Sequence, residues 1–394
     1  MLKCASVFTC ELDAHEVAVA EIKSQLEQKL LLLEHSIGII MCHPEFIANG
    51  TLTAVCENLP FETVGITSPA QAVNEILEEP VLTIFVMTSD DILFKSGLVK
   101  DISEDVYSPS RSAYDEALHG CGDMPSLGLV IIFPPFIGIP GDSYVDAWKR
   151  VTPGIPIFGG FAADDSITLD SCETIINGTT HKASMPFLMC FGEIRPRFMF
   201  ATLSPSNDLV AKGIVTKASG TCVQMINDMK AFDFFKSLDF FQDRINIDSK
   251  LMLTPIFVDL VNREDYDGIP VVRGHHFFTE DGAASFLGVV DEGAAISLTI
   301  CDTDDILNTT TQKASLLATS SDINGMLAFA CLGRRVALMG INNPMLELQA
   351  VKDAIGLKVP FMMGYVGGEI CPTSVNNGVP TNRFHNYTLV MLVL

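Results

Sequence analysis

Charged side chains that leave buried-looking strands through small residues are the first candidates for chemistry in this chain. The stretch VPFMMGYVGGEICPTS (359–374) carries an apolar strand into Gly-Gly and then Glu369. Glycine lets a backbone approach a partner closely, and a carboxylate at the mouth of an apolar strand is costly unless something pairs with it. The combination predicts a binding loop. Asp164 and Asp165 leave PIFGGFAADD (156–165) in the same way. Arg273 stands inside IPVVRGHHFF, where alternation places it on the face of Val271, His275 and Phe277. Arg334 follows the strand-like GMLAFACLG, with Gly333 freeing the turn. Arginine grips carboxylates through a two-pronged fork, so Arg273, Arg334 and the three acids have the chemistry of an ion-pairing ligand site. Each also has a structural alternative: Arg334 as partner of Asp304 or Asp305, Glu369 in an ion pair, and Asp164 as a helix cap.

Other chemistries have weaker support. Cys331, in FACLGRR, is a candidate nucleophile if a neighbouring arginine lowers its thiol pKa. No local histidine base accompanies it, and no G-x-S-x-G elbow, Walker loop or GxGxxG fingerprint occurs. A binding protein is therefore expected over an enzyme. His275 and His276 are adjacent in a strand and point opposite ways, so they cannot chelate one ion, and no clustered Cys/His pattern predicts a metal.

The elements that must position these residues alternate along the chain. SIGIIMC (36–42), VLTIFVM (81–87), LGLVIIF (127–133) and PFLMCF (186–191) read as buried strands. Residues 14–34 place Ile22, Leu26, Leu30 and Leu33 on one helical stripe. DSYVDAWKRV (142–151) and NPMLELQAVKDAIG (343–356) are helices, the second capped by Asn343 and stopped by Gly356. IPVVRGHHFF, AASFLGVV and AAISLTIC form a meander turning at TEDG and DEG. The fold class is mixed α+β or α/β, with mainly antiparallel sheets flanked by helices.

At 394 residues the chain exceeds one ordinary core, and two domains are expected, 1–215 and 216–394, sharing a broad interface. A net charge of −23 argues against nucleic acid or an anionic membrane as partner. The start, MLKCASVFTCELDAHE, meets Glu11 and Asp13 before a signal-peptide core forms, and LGLVIIFPPFIGIP is too short to span a bilayer. Eleven scattered cysteines without a C-x-x-C pair fit reduced thiols. A cytoplasmic protein is expected.

An internal echo organises the whole. LTIFVMTSDDIL (82–93) matches ISLTICDTDDIL (296–307), and PIFGGFAADD matches PFMMGYVGGE (360–369) without gaps. Gly160 pairs with Gly364, Phe161 with Tyr365, and Asp165 with Glu369. A weaker relative, PFETVGITSPAQ (60–71), lacks the acid. Two related modules facing each other would bring equivalent loops to one cleft.

IPIFGGFAADD, IPVVRG, GMLAFACLGRR and VPFMMGYVGGEICPTS…RFHNYTLVMLVL resemble, in order, the signature blocks of the FIST family, from about residue 30 to the end. Ala163 departs from them, standing where a glycine is common. The resemblance implies an N-terminal and a C-terminal FIST domain in a small-molecule sensor for signal transduction. It implies an amino acid or similar metabolite as ligand, and for some members heme and a response to nitric oxide. It favours Asn386, in RFHN, as a ligand partner over His385, and Tyr365, Gly160 and Gly364 as parts of the binding loops. His43, His276 and His385 are available axial ligands, but no C-x-x-C-H accompanies them, so no cofactor is expected. No fused output domain is expected within these residues. The expected partner is therefore a separate signalling protein, such as a histidine kinase or cyclase, or a homo-oligomer read through its geometry.

Overall fold

A computed structural model describes residues 1–394 apart from 79, 167–168, 205–211, 240, 242–244, 249–253, 261, 319–321 and 357–358. Its central feature is a unit used three times: strand, helix, strand, helical segment, strand, then a two-stranded arm and a closing strand. The first copy runs β1 (Lys3–Thr9), α1 (His15–Lys29), β2 (His35–Cys42), α2 (Glu45–Ala48), α3 (Thr51–Glu57), β3 (Glu62–Thr67), the arm β4 (Gln71–Val73) and β5 (Leu77–Glu78), and β6 (Leu82–Ser89). The second runs β7 (Leu93–Val99), α4 (Tyr107–Ala117), β8 (Leu127–Ile132), α5 (Gly141–Val151), β9 (Ile157–Gly160), the arm β10 (Thr174–Ile176) and β11 (Thr179–His181), and β12 (Met185–Phe191).

The third copy opens with β13 (Arg197–Ala201) and is interrupted by a separate sheet. That insertion comprises β14 (Lys212–Ser219), β15 (Cys222–Ile226), β16 (Met229–Lys230), α6 (Ala231–Ser237), β17 (Ile256–Asp259), β18 (Val271–Arg273), β19 (His275–Phe278), β20 (Ala284–Phe286) and β21 (Ala295–Leu298). The unit resumes with α7 (Thr303–Ala318), β22 (Met326–Cys331), α8 (Leu332–Met339), α9 (Leu346–Ile355), β23 (Phe361–Val366), the arm β24 (Glu369–Asn376) and β25 (Val379–His385), and β26 (Leu389–Val393).

The three sheets share one order: β1-β6-β2-β3, β7-β12-β8-β9 and β13-β26-β22-β23. In each, the last pair is parallel and joined through helix, as a parallel crossover requires. Each arm then pairs with another copy's sheet. β4 adds to β23, β10 to β3, and β24 to β9, so the exchange closes into a ring. Strands such as β6, β12, β22, β23 and β26 are buried along their whole length, which explains their continuous apolar sequence. Their inner faces meet in one core, where Phe158 stacks on Phe329 at 5.2 Å and Phe133 meets the same ring edge-on at 6.3 Å. The outer faces carry the helices: Val7, Ile22 and Ile84 pack together in the first copy, Trp148 and Phe187 in the second, Val351 and Met391 in the third.

The mixed α+β class stands, but the echo of PIFGGFAADD runs through three copies, with the weak relative at 60–71 the first of them, whereas LTIFVMTSDDIL and ISLTICDTDDIL fall on β6 and β21, strands of unlike sheets. The boundary expected at 215/216 falls within β14, and residues 326–394 share sheets with the first half. The inserted sheet runs β18-β17-β21-β14-β15-β20-β19. Its two end strands are consecutive in the chain with Gly274 between them, so it curls into an open barrel with its own core around Val223, Phe235, Val258 and Phe286. TEDG does turn a hairpin, β19 to β20. DEG does not: β21 leaves β20 and pairs with β14 and β17. The helix expected to be capped by Asn343 begins at Leu346 without a side-chain cap, and Gly356 follows its end at φ 65°.

Candidate functional site

The carboxyl ends of β8, β9 and β23 open toward the barrel, and a cavity of about 300 Å³ lies between them. Its core side is the loop 135–141 between β8 and α5, with Phe161 after β9, Gly367 after β23 and Phe384 near the end of β25. Its barrel side is Thr221, His276, Phe277 and residues 285–287. Five phenylalanines (Phe136, Phe161, Phe277, Phe286 and Phe384) dominate the wall, and Thr221, Ser285 and His276 supply its side-chain polar groups. Phe384 meets Phe161 edge-on at 5.3 Å. Phe277 and Ile137 are partly exposed at 43% and 37%.

Local backbone features make this wall. The loop FPPFIGIP places prolines and Gly138, at φ 80°, between strand and helix, so neither element continues. Gly141 begins α5 against Phe384, where an added Cβ would lie 2.4 Å from the ring. A register shift between His275 and Phe277 breaks the alternation expected around Arg273. His275 stays buried with Arg273, while Phe277 turns out to the cavity rim.

None of the nine residues expected to form the small-molecule site lines the cavity, although His276, weighed as an axial ligand, does. Arg273 is fully buried behind it, donating to Asp142 Oδ1 at 2.9 Å and to the carbonyls of Val289, Val272 and Phe384. Arg334 is likewise buried. Its Nε donates to Glu347 Oε1 at 2.9 Å, and its terminal nitrogens donate to Glu347, Thr310 Oγ1 and the carbonyls of Ala201, Tyr387 and Ile306. That set uses the guanidinium's five N–H groups. Its acid is Glu347 on α9, not Asp304 or Asp305.

Glu369 is buried on β24, where Oε2 accepts from the Thr388 N–H at 3.3 Å and Cys331 lies within hydrogen-bonding reach. Burial pushes its carboxyl well above the usual range and so favours the protonated form. Burial, with Glu369 beside it, also pushes the Cys331 thiol well above its usual value, the reverse of what an activated nucleophile needs. Asp164 stitches its own loop, accepting from Ser166 N at 2.8 Å and Ser171 N at 2.6 Å. Asp165 is half-exposed, 3.6 Å from His43 Nε2. Tyr365 is buried, its hydroxyl donating to the Pro344 carbonyl at 3.3 Å. Asn386 Oδ1 accepts from the Gly274 N–H at 3.2 Å and so fastens the barrel to the core.

Gly160 and Gly364 are packing glycines. A Cβ on Gly160 would come 3.1 Å from Phe329, and one on Gly364 would come 2.4 Å from Met41, side chains of the next copy in each case. Glu369 pairs across the sheet with Gly160 and Gln71 with Gly364. Gln71 is therefore the residue of the first copy that corresponds to Glu369, not Asp165 of the second.

Among the described residues no group of three His, Cys, Asp or Glu side chains is placed to hold a metal ion, and no helix is long and apolar enough to cross a membrane. The eleven cysteines are free thiols.

No curated protein matches the chain. Two protein families do. The FIST N domain matches residues 36–229 and the FIST C domain residues 232–372, domains associated with sensing in signal transduction. The cavity is walled by both matched regions, and on this extent of similarity the chain belongs to the FIST family.

Proposed function

We propose that the chain is a sensory module whose ligand is a small, largely apolar molecule bound in the cavity between core and barrel. The observation that carries this reading is the phenylalanine-rich wall built jointly by residues 135–161 and 276–287. Aromatic walls bury flat or branched apolar groups, and a few hydroxyls orient them. Ser285 and Thr221 are placed for that role. The amino-acid expectation narrows accordingly. The buried arginines spend their donors on the protein, so an amino acid would bind through an apolar side chain with its charged groups toward the mouth. The volume, at the lower end for small-molecule sites, and the exposure of His276, the one histidine in the wall, favour such a ligand over heme. Bound ligand bridges barrel and core and favours the closed arrangement if it contacts both. The signal then passes to a separate kinase- or cyclase-type protein.

A thermal-shift screen tests this with neutral aromatics, apolar amino acids and charged amino acids. A ligand held at one hundred times its Kd stabilises the native state by about 2.7 kcal/mol. The apolar groups raise the melting temperature, and Phe286→Ala abolishes the shift. A flat response across the panel, or a hit indifferent to both Phe286→Ala and Phe384→Ala, sinks the reading.

A further inference from the structure

The charged pair behind the cavity joins its core side to its barrel side. Asp142, on the first turn of α5, accepts from Arg273 at 2.9 Å through Oδ1 and from the Val289 N–H at 2.8 Å through Oδ2. Arg263 approaches the same carboxylate at 3.6 Å. Arg273 in turn donates to the Phe384 carbonyl at 2.9 Å and to the Val289 carbonyl at 3.1 Å, with its guanidinium 5.6 Å from the Phe384 ring. Each partner is in the cavity wall or within two residues of it: Asp142 follows Gly141, Val289 lies two past Leu287, and Phe384 is itself in the wall. Gly288 allows this approach, since a Cβ there would lie 2.6 Å from Arg273 Nε and 2.8 Å from Asp142 Oδ2.

The rest of the seam between barrel and core is polar as well. Asp265 takes Arg383 at 2.9 Å and Lys149 at 2.5 Å, and Asp267 accepts the Thr373 and Ser374 hydroxyls. A polar seam of this kind is the sort along which domains move. A buried ion pair adds little net stability but fixes geometry, and losing one member strands the other charge.

We propose that the Asp142–Arg273 pair is the latch that closes the barrel on the ligand cavity, with both residues acting as positioning groups that do not touch ligand. Opening the pair releases residues 135–141 and 285–289 together, because one carboxylate holds both. The proposal rests on the cavity being the ligand site for its functional consequence, while the latch itself is measurable without ligand.

Hydrogen exchange read by mass spectrometry on the full chain tests it. In Asp142→Asn, amides of 135–141 and 285–289 are expected to exchange about tenfold faster or more, while β2 exchanges as in the wild type. Acceleration of only one segment overturns the latch. If Asp142→Asn speeds exchange everywhere, Arg273→Lys, which keeps the charge and loses the fork, decides: it must loosen the same two segments, and no change in them overturns the proposal. Indole serves as a neutral aromatic probe. If the wild type binds it, Asp142→Asn must bind it about tenfold more weakly, and equal affinity overturns the coupling. Failure of the wild type to bind indole counts against the cavity's ligand class and leaves the exchange result to judge the latch.

Discussion

His385 offers a quantitative test of how the core holds together next to the cavity. It is buried near the end of β25, with Nε2 donating to the Cys371 carbonyl at 3.0 Å. Burial lowers its pKa from 6.5 to about 4, the Cys371 contact opposes this, and the charges of Arg273 and Arg383 add to it. The unfolded chain therefore takes up the proton first as pH falls. The stabilisation from a neutral His385 is complete above pH 6.5 and is lost as pH drops from 6.5 toward 4. At 1.36 kcal/mol per pKa unit, that fall costs roughly 3 kcal/mol. The perturbation is His385→Gln, which keeps a donor and cannot titrate. Urea unfolding can be followed through Trp148, the chain's single tryptophan, buried on α5 with Phe187 4.9 Å away. The variant is less stable near neutrality, and its stability falls less steeply across this pH window. The gap between the two proteins narrows by about 3 kcal/mol at the acid end. His275, also lowered to about 4 by burial, acts equally in both proteins and cancels from the difference. Parallel curves for the two proteins would refute the buried, neutral imidazole.

Two further outcomes follow from buried charge. Glu369→Gln replaces a carboxyl whose ionisation burial opposes in the native state but not in the unfolded chain. The variant should therefore gain melting temperature relative to wild type, and the gain should grow as pH rises above the ordinary carboxylate value; an unchanged difference between acid and neutral pH contradicts the raised pKa. Arg334→Met strands Glu347, which is fully buried, and should cost about 3–5 kcal/mol in urea unfolding; adding Glu347→Gln should recover much of that, and simple additivity of the two losses would argue that the residues do not act as a pair.

Much of the scaffold was legible because its strands are buried on both faces and so announce themselves as apolar runs. The match of Gly160 to Gly364 was legible for the same reason that it exists: both glycines leave space for a side chain of the next copy. The first copy was obscured because its equivalent of Glu369 is the neutral Gln71, which lacks the conspicuous charge. The exchanged arms were invisible because pairing such as Ala72 with Met363 leaves no local periodicity. The arginines misled for a related reason. A strand-end guanidinium looks free in sequence, yet Arg273 finds its acid on a helix 131 residues away. The cavity's best signal was FPPFIGIPGD, whose prolines and glycines break a strand before a helix among large apolar side chains. That run reads as ordinary core until the barrel is brought against it.

The ring of exchanged arms carries a consequence for biogenesis. The first copy's arm cannot reach its resting place until β23 exists, so during synthesis its hydrogen-bonding edge stays unsatisfied while most of the polypeptide is still being made. Unpaired edges of this kind invite wrong partners. Products of synthesis that stop before β23 are therefore expected to aggregate more readily than the closed ring.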